Sequence, residues 1–391
     1  MADGAKIGSR IDGSGDALTL ARALVATPSV NPALDPSGTG EKDVAQMAAE
    51  WLRSWGFGVE LVEAVPDRPS VLARLERGRG RSLILNGHLD TVGVDGMTVD
   101  PFDPVVREGR LWGRGSADMK GGIAAALAAA RDAAVEGFRG TLIVALTADE
   151  EEQGRGARRL VEDGLRADGA IVCEPTGLAI MPAHKGFTWV ELEFRGRAAH
   201  GSRPDLGVDA IRHAGLFLAR LGVLQSSLAE REPHPLLGSG SVHAGTIRGG
   251  SALSVYPASC TLTLERRTLP GETVEAFRTE VEFALGRLRS DVPALDVSLE
   301  VTLHRDGSEV STDHELVSAA AAAARGAGLE PGIRGMTAWV EAVTFNQAGT
   351  PALCFGPGSI GAAHAADESV AVDEIRAAHR ALTRMIQDFL S

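Results

Sequence analysis

Cysteine is scarce in this chain: Cys173, Cys260 and Cys354 are the only three in 391 residues. Three cannot all pair with one another, and each sits within an apolar stretch. A disulfide framework is therefore excluded, and reduced core thiols in a cytosolic protein are expected. Long apolar runs are also missing, the longest, such as residues 123–130, being far too short to span a bilayer. The opening MADGAKIGSRIDGSGD has no apolar core behind a basic start, so no secretory signal is expected. Basic residues are outnumbered, 39 Lys and Arg against 52 Asp and Glu, for a net charge of −13. That balance argues against a nucleic-acid partner or an anionic membrane surface, where basic patches supply the affinity. It fits a protein that holds cations through carboxylates, although plain solubility accounts for the composition equally well.

What is present is ordinary globular material, 44% apolar and 23% charged, in a chain too long for one comfortable hydrophobic core. The N-terminal third predicts helices over 17–26 and 41–55 and β-rich runs at 70–75 and 82–85. An Ala-rich helix follows from Met119, then an apolar strand at 141–147, another helical stretch and another strand at 170–173. Strands alternating with helices predict an α/β layer with a mainly parallel sheet. From about Phe187 the rhythm changes to strand 188–194, helix 208–221, strands 241–247 and 258–266, helix 274–288 and strand 295–301. The order β-α-β-β-α-β is the split unit of ferredoxin-like domains, so a small α+β domain inserted over 187–303 is expected. It would divide a catalytic domain into 1–186 and 304–391, the second part containing helix 315–325, strand 352–355 and helix 372–390.

The chemistry-bearing residues gather just after the apolar strands. Asn86-Gly87-His88-Leu89-Asp90-Thr91-Val92 follows one, and in open α/β sheets ligands bind beyond the carboxyl ends of strands. His88 and Asp90 are two apart, so extended backbone points both side chains one way, and a metal-binding imidazole needs an acceptor for its other N–H. Gly113-Arg114-Gly115-Ser116-Ala117-Asp118-Met119-Lys120-Gly121-Gly122 fails as a dinucleotide fingerprint, because Asp118 holds the third glycine's place and would repel a pyrophosphate. Asp118 reads better as a carboxylate at a helix start, where it is electrostatically favoured. Asp149-Glu150-Glu151-Glu152 follows strand 141–147, and such neighbours repel one another unless cations hold them. Cys173-Glu174-Pro175-Thr176 and Gly361-Ala362-Ala363-His364-Ala365-Ala366-Asp367-Glu368 end the series. Taken singly, each is a loop, a cap or a solvated acidic run. Together they deliver His and carboxylate to one sheet edge, which is how a multi-ligand metal site is built.

The ordered set GHLDTV, GRGSADMKGG, ADEE, CEPT and HAADES resembles a known family. It is the dinuclear zinc family of acetylornithine deacetylase, succinyl-diaminopimelate desuccinylase, aminoacylase-1 and glutamate carboxypeptidase. The resemblance runs from Thr27-Pro28-Ser29-Val30-Asn31-Pro32 to the last helix. It implies a zinc-peptidase-like catalytic domain with a lid and dimerisation domain, and two Zn2+ per chain, with Co2+ or Mn2+ as substitutes. Asp118 would bridge the metals, His88 and Glu174 completing one site and Glu151 and His364 the other. Glu150 would be the general acid/base, and Asp90 would orient His88. Charge counting agrees: three carboxylates and a bridging hydroxide neutralise two divalent ions, so the centre can sit in a partly dry cleft.

Gly196-Arg197-Ala198-Ala199-His200-Gly201-Ser202-Arg203-Pro204 resembles the family's lid motif, implying that His200 reaches the substrate carbonyl, from the other subunit in dimeric members. Arg267, within Arg266-Arg267-Thr268-Leu269-Pro270, matches the carboxylate-binding arginine, and a planar guanidinium suits that task. Arg266 is expected to be a surface residue. Two positions depart from the family. Ser254 stands for a substrate-contacting asparagine, and Glu341 stands for an aspartate. Histidines 184, 213, 234, 243, 304, 314 and 379 are read as structural or solvated. The expected activity is hydrolysis of the amide bond of a small N-acyl-L-amino acid by a homodimeric cytoplasmic enzyme. A carboxypeptidase or dipeptidase of the same family is the alternative, and a non-catalytic amino-acid- or peptide-binding relative is a remote one.

Overall fold

A computed structural model describes residues 16–391, so the stretch read above as lacking a secretory signal lies, but for its last residue, outside the described residues. The chain forms two compact units. The first comprises residues up to Pro182, Val310–Arg334 and Val340–Ser391; the second comprises Ala183–Glu309 and Gly335–Trp339.

In chain order the elements are α1 (Ala17–Ala26), α2 (Lys42–Ser54), β1 (Gly58–Val65), β2 (Arg68–Arg77), β3 (Ser82–His88), β4 (Val105–Arg107), β5 (Arg110–Trp112), α3 (Gly121–Glu136), β6 (Gly140–Thr147), α4 (Arg155–Glu162), β7 (Gly169–Val172) and β8 (Ile180–His184). The inserted run is β9 (Gly186–Arg195), α5 (Ala210–Ala229), β10 (Ser241–Gly249), β11 (Ser259–Thr268), α6 (Val274–Asp291), β12 (Asp296–Arg305) and β13 (Ser308–Glu309). The chain closes with α7 (Glu315–Gly326), β14 (Ile333–Met336), α8 (Ala342–Gln347), β15 (Ala352–Cys354), β16 (Ser369–Ala371) and α9 (Val372–Phe389).

The main sheet runs β1-β2-β6-β3-β7-β15-β8. Its four middle strands, β6, β3, β7 and β15, are mutually parallel, with antiparallel partners on either side. This is the mainly parallel sheet expected from the alternation of elements. Register pairs His88 with Thr147 and Asn86 with Val172, so β3, β6 and β7 end together on one edge. The edge strand β1 escapes a reading of the sequence because most of its residues are solvent-facing. The helix expected from Met119 begins at Gly121 instead. Ser116–Lys120 form an irregular π-type turn, and the Asp118–Met119 peptide is cis. Asp118, with φ −121° and ψ 94°, therefore sits in a non-helical kink rather than in a first helical turn.

Helix α3 explains the run of small residues, since every position from Gly121 to Ala130 is buried. A Cβ on Gly122 would lie 2.0 Å from the Cys173 carbonyl oxygen, and one on Gly87 would lie 2.7 Å from Ile123 Cγ1. The two glycines let the helix start touch the backbone at the ends of β7 and β3, which carry Glu174 and His88. All three cysteines are buried free thiols, and burial raises each above the ordinary thiol range, as expected of inert core residues.

The second unit carries an antiparallel sheet ordered β10-β11-β9-β12. Asp209 and Thr273 cap α5 and α6 through their side chains. The buried face of the sheet, with Val190, Leu192, Phe194, Leu262 and Leu264, packs with Phe217 of α5 and Phe277 and Val281 of α6. Among the described residues no helix is long and apolar enough to cross a membrane.

Two glycine substitutions separate close approach from helix propensity. Gly122→Ala should lower the thermal midpoint sharply, because its new methyl meets backbone. Exposed Gly215 in α5 has nothing within 4 Å of a built Cβ. Gly215→Ala should therefore raise stability by roughly 0.5–1 kcal/mol in the same melting experiment.

Candidate metal centre

The sheet edge gathers five of the predicted side chains in the first unit. His88 is the last residue of β3, Glu150 and Glu151 lie just beyond β6, Glu174 lies just beyond β7, and His364 follows β15 on a long loop. Asp118 arrives on the kinked turn before α3. Its two carboxylate oxygens face different imidazoles: Oδ1 is 3.0 Å from His88 Nε2, and Oδ2 is 3.4 Å from His364 Nε2. His364 Nε2 is also 3.0 Å from Glu151 Oε2, and His88 Nε2 is 4.0 Å from Glu150 Oε2. One ligand atom each from His88, Asp118 and Glu151 fall within 4.8 Å of one another.

The electrostatics reflect that crowding. Burial, then the neighbouring Glu174, Glu151 and Glu341 carboxylates, push Glu150 well above the carboxylate range against the pull of His88. Burial and Asp118 raise Glu174 to about 8. His364, beside Asp118 and Glu151, is raised to about 10. Burial opposes the ionisation of Asp118, but the two imidazoles hold it below the ordinary carboxylate range. The side chains fit a metal: imidazoles and carboxylates are the donors borderline and hard divalent ions take, and Glu151 Oε1 is buried with no hydrogen-bond partner.

Several residues that the sequence did not mark hold this edge in place. His88 Nδ1 lies 3.0 Å from the Asp90 carbonyl oxygen, whereas the Asp90 carboxylate is 3.8 Å away. The orienting acceptor expected from the Asp90 side chain is thus its backbone carbonyl. The carboxylate itself accepts the N–H groups of Glu150 and Glu151, at 3.0 and 3.1 Å, and the Asn31 amide at 2.9 Å. Of the four consecutive acids, Asp149 turns away from the site. Its φ is +68°, and it takes Arg68 Nη1 at 3.0 Å and Arg155 Nε at 2.5 Å. Arg68 also grips Glu41 through two bonds of 2.8 and 2.6 Å, and Glu41 Oε1 accepts the Asp149 N–H. Asn31 stood inside a quoted motif; Glu41 and Arg68 gave no signal beyond being charged residues beside predicted elements. Glu341 accepts from Thr147 Oγ1 at 2.5 Å and Asn86 Nδ2 at 3.1 Å, beneath the strand ends.

The remaining predicted residues lie in the second unit. His200 is exposed, its Nδ1 is 2.8 Å from Ser202 Oγ, and its loop bonds to that of Ser254 through Gly201 N–H and the Ser254 carbonyl at 2.7 Å. Arg267 lies on β11, its Nε 2.7 Å from Glu265 Oε1 and its guanidinium carbon 5.3 Å from the centre of the Phe187 ring. Arg266 is not the surface arginine expected. Strand alternation puts it on the buried face with Leu262 and Leu264, 2% exposed and 2.7 Å from Glu272. Histidines 234, 304 and 379 bond to the distant Glu309, Thr188 and Asp132, and His314 accepts the N–H of Leu316 at the start of α7.

Residues 84–388 match the model of peptidase family M20/M25/M40. An acetylornithine deacetylase of Myxococcus xanthus is 38% identical over 319 residues, 80% of this chain and 81% of that protein. The fold is shared with the aminopeptidase PepT of Bacillus cereus, at a TM-score of 0.79 and 19% identity over 96% of this chain and 98% of that one. It is also shared with an M20 metallo-carboxypeptidase of Sulfolobus solfataricus, at 0.77 and 17% over 96% and 99%.

Replacing Arg68 by Met should destabilise the protein by about 3–5 kcal/mol, because it leaves a buried Glu41 carboxylate without its partner. Urea denaturation measures this, and a change below 1 kcal/mol would remove the network's claim to hold the edge.

Proposed function

The chain belongs to peptidase family M20/M25/M40 and is a metal-dependent hydrolase, and from that premise we propose that it removes the acyl group from a small N-acyl-L-amino acid. The observation that carries the reading is Asp118, whose two oxygens serve two imidazoles, each with a glutamate of its own nearby. His88 and Glu174 would hold one metal, Glu151 and His364 the other, and Asp118 would be shared. When bound, two zinc ions, or Co2+ or Mn2+ in their place, supply an acidified water and polarise the scissile carbonyl.

The chain's own residues have the remaining tasks. Glu150 takes the proton of the attacking water and returns it to the leaving nitrogen, so one carboxylate serves as base and then acid. Asp90 fixes the Glu150 and Glu151 backbone through its carboxylate and His88 through its carbonyl. His200 is assigned to the substrate carbonyl, Arg267 to its carboxylate and Ser254 to its remaining polar groups. Serine is shorter than asparagine and offers fewer bonds, so the substrate preference is expected to differ from that of relatives with the amide. The deacetylase relative, similar over most of both chains, supports the N-acyl reading. The family's description as peptidases favours the second reading, cleavage of a dipeptide or C-terminal residue.

A panel of N-acetyl, N-succinyl and N-formyl amino acids and dipeptides, assayed with zinc-loaded enzyme and a chelated control, decides between them. One chelator-sensitive N-acyl activity supports the first reading; dipeptide hydrolysis alone replaces it with the second. Glu150→Gln should retain metal by elemental analysis while turnover falls about 10²–10⁴-fold. Turnover near that of the unmodified enzyme would sink the general-base assignment. His200→Ala should likewise keep its metal and lose turnover. Activity restored on mixing it with Glu150→Gln chains would place His200 across a homodimer.

A further inference from the structure

His88 and His364 are located by different means. His88 is buried, and its second ring nitrogen is fixed by the Asp90 carbonyl. His364 has a side chain about half exposed (51%), a backbone φ of +61°, and both its carboxylate contacts through Nε2. Something other than its ring must place its loop. Glu368, four residues later and 1% exposed, has both carboxylate oxygens engaged by the other ligand loop. Oε1 accepts the N–H groups of Ala117 at 2.9 Å and Asp118 at 3.0 Å. Oε2 accepts Gly115 N–H at 3.1 Å and Arg114 Nη1 at 2.6 Å. The Gly113 N–H returns a bond to the Glu368 carbonyl at 3.1 Å, and Arg114 Nε reaches the Gly93 carbonyl at 3.0 Å.

We propose that Glu368 is a positioning residue that couples the two ligand loops, holding Asp118 and His364 at the separation the second metal requires. The inference rests on the metal centre proposed above. A carboxylate suits the task because it offers acceptors on both oxygens, and the four donors converge on it from both sides. An amide has one acceptor oxygen, so Glu368→Gln turns an NH2 group toward either the Ala117 and Asp118 N–H groups or Gly115 and Arg114. One pair of donors then loses its partner, and the turn carrying Asp118 is held to the His364 loop less tightly, by the Gly113 N–H bond to the residue-368 carbonyl and by Arg114 Nη1 at 3.4 Å from the Ala365 carbonyl. The His88 side has its own anchor, so the loss falls unevenly on the two metals.

The test is zinc titration of the metal-free protein against a chromophoric chelator, with His364→Ala marking which binding step belongs to the His364 side. Glu368→Gln should weaken that same step about 10–100-fold, the range for removing a group that orients a ligand, and leave the other step within a few-fold. A merely structural role would lower the melting midpoint of the metal-free protein and shift both steps alike or neither. Either pattern overturns the proposal while the metal-centre reading stands. Absence of tight zinc binding by the unmodified protein would overturn both. Glu368→Asp keeps the charge and shortens the reach by one methylene. Should Glu368→Gln fail to fold, selective loss in the aspartate variant supports the coupling, and unchanged binding overturns it.

Discussion

Mutual repulsion among buried acids is the constraint on which this structure turns. Asp118, Glu150, Glu151 and Glu174 meet at one sheet edge with two histidines, largely out of water. Left alone, such a set relieves itself by taking up protons, which is the direction in which Glu150 and Glu174 are pushed. Divalent cations reverse that logic, since they are larger local charges than any side chain. The alternative, neutralisation by guanidinium groups, is also present, but it falls on acids set back from the site, Asp149 and Glu41 behind the loop and Glu368 behind the Asp118 turn. The acids thus divide into a set held by arginine and a set facing the site.

Backbone geometry performs that division. Consecutive acids in an extended strand would alternate sides, whereas here Asp149 adopts a left-handed conformation immediately after β6 and points back toward Arg68. Glu150 and Glu151 are then presented forward, with their N–H groups held by Asp90. Aspartate tolerates the left-handed region better than most residues, because its short polar side chain bonds locally. The strained turn and the ion pairs behind it are two parts of one arrangement.

Much of the site was legible in the sequence. His88, Asp118, Glu151 and His364 are brought together, and the apolar strands that precede the clusters run parallel and end level. The split β-α-β-β-α-β order of the second unit could also be read, because its outer strands alternate and its first helix shows helical periodicity. What could not be read was set by long-range packing. The kink at Asp118 looks like a helix start in one dimension, since the small residues after it do form a helix. Arg266 and Arg267 are adjacent in sequence and opposite in space, and only the strand's register tells which is buried. Asp90 was read by its side chain, when its carbonyl is the group nearer His88. Glu41 and Arg68 are 27 residues apart and carry no motif that ties them to the site.

The all-small face of α3 has a consequence for how the site can diverge. From Gly121 to Ala130 the helix offers glycine, alanine, one isoleucine and one leucine, every one of them buried. Its start lies against backbone, at Cys173 for Gly122 and at Ser116 for Gly121, so neither glycine beside the Asp118 turn can take on a side chain without displacing backbone. Variation at these two helix positions is closed off by backbone contact rather than by chemistry. The ligand residues therefore sit on ground that sequence drift cannot easily rework, and change is left to the surface around them.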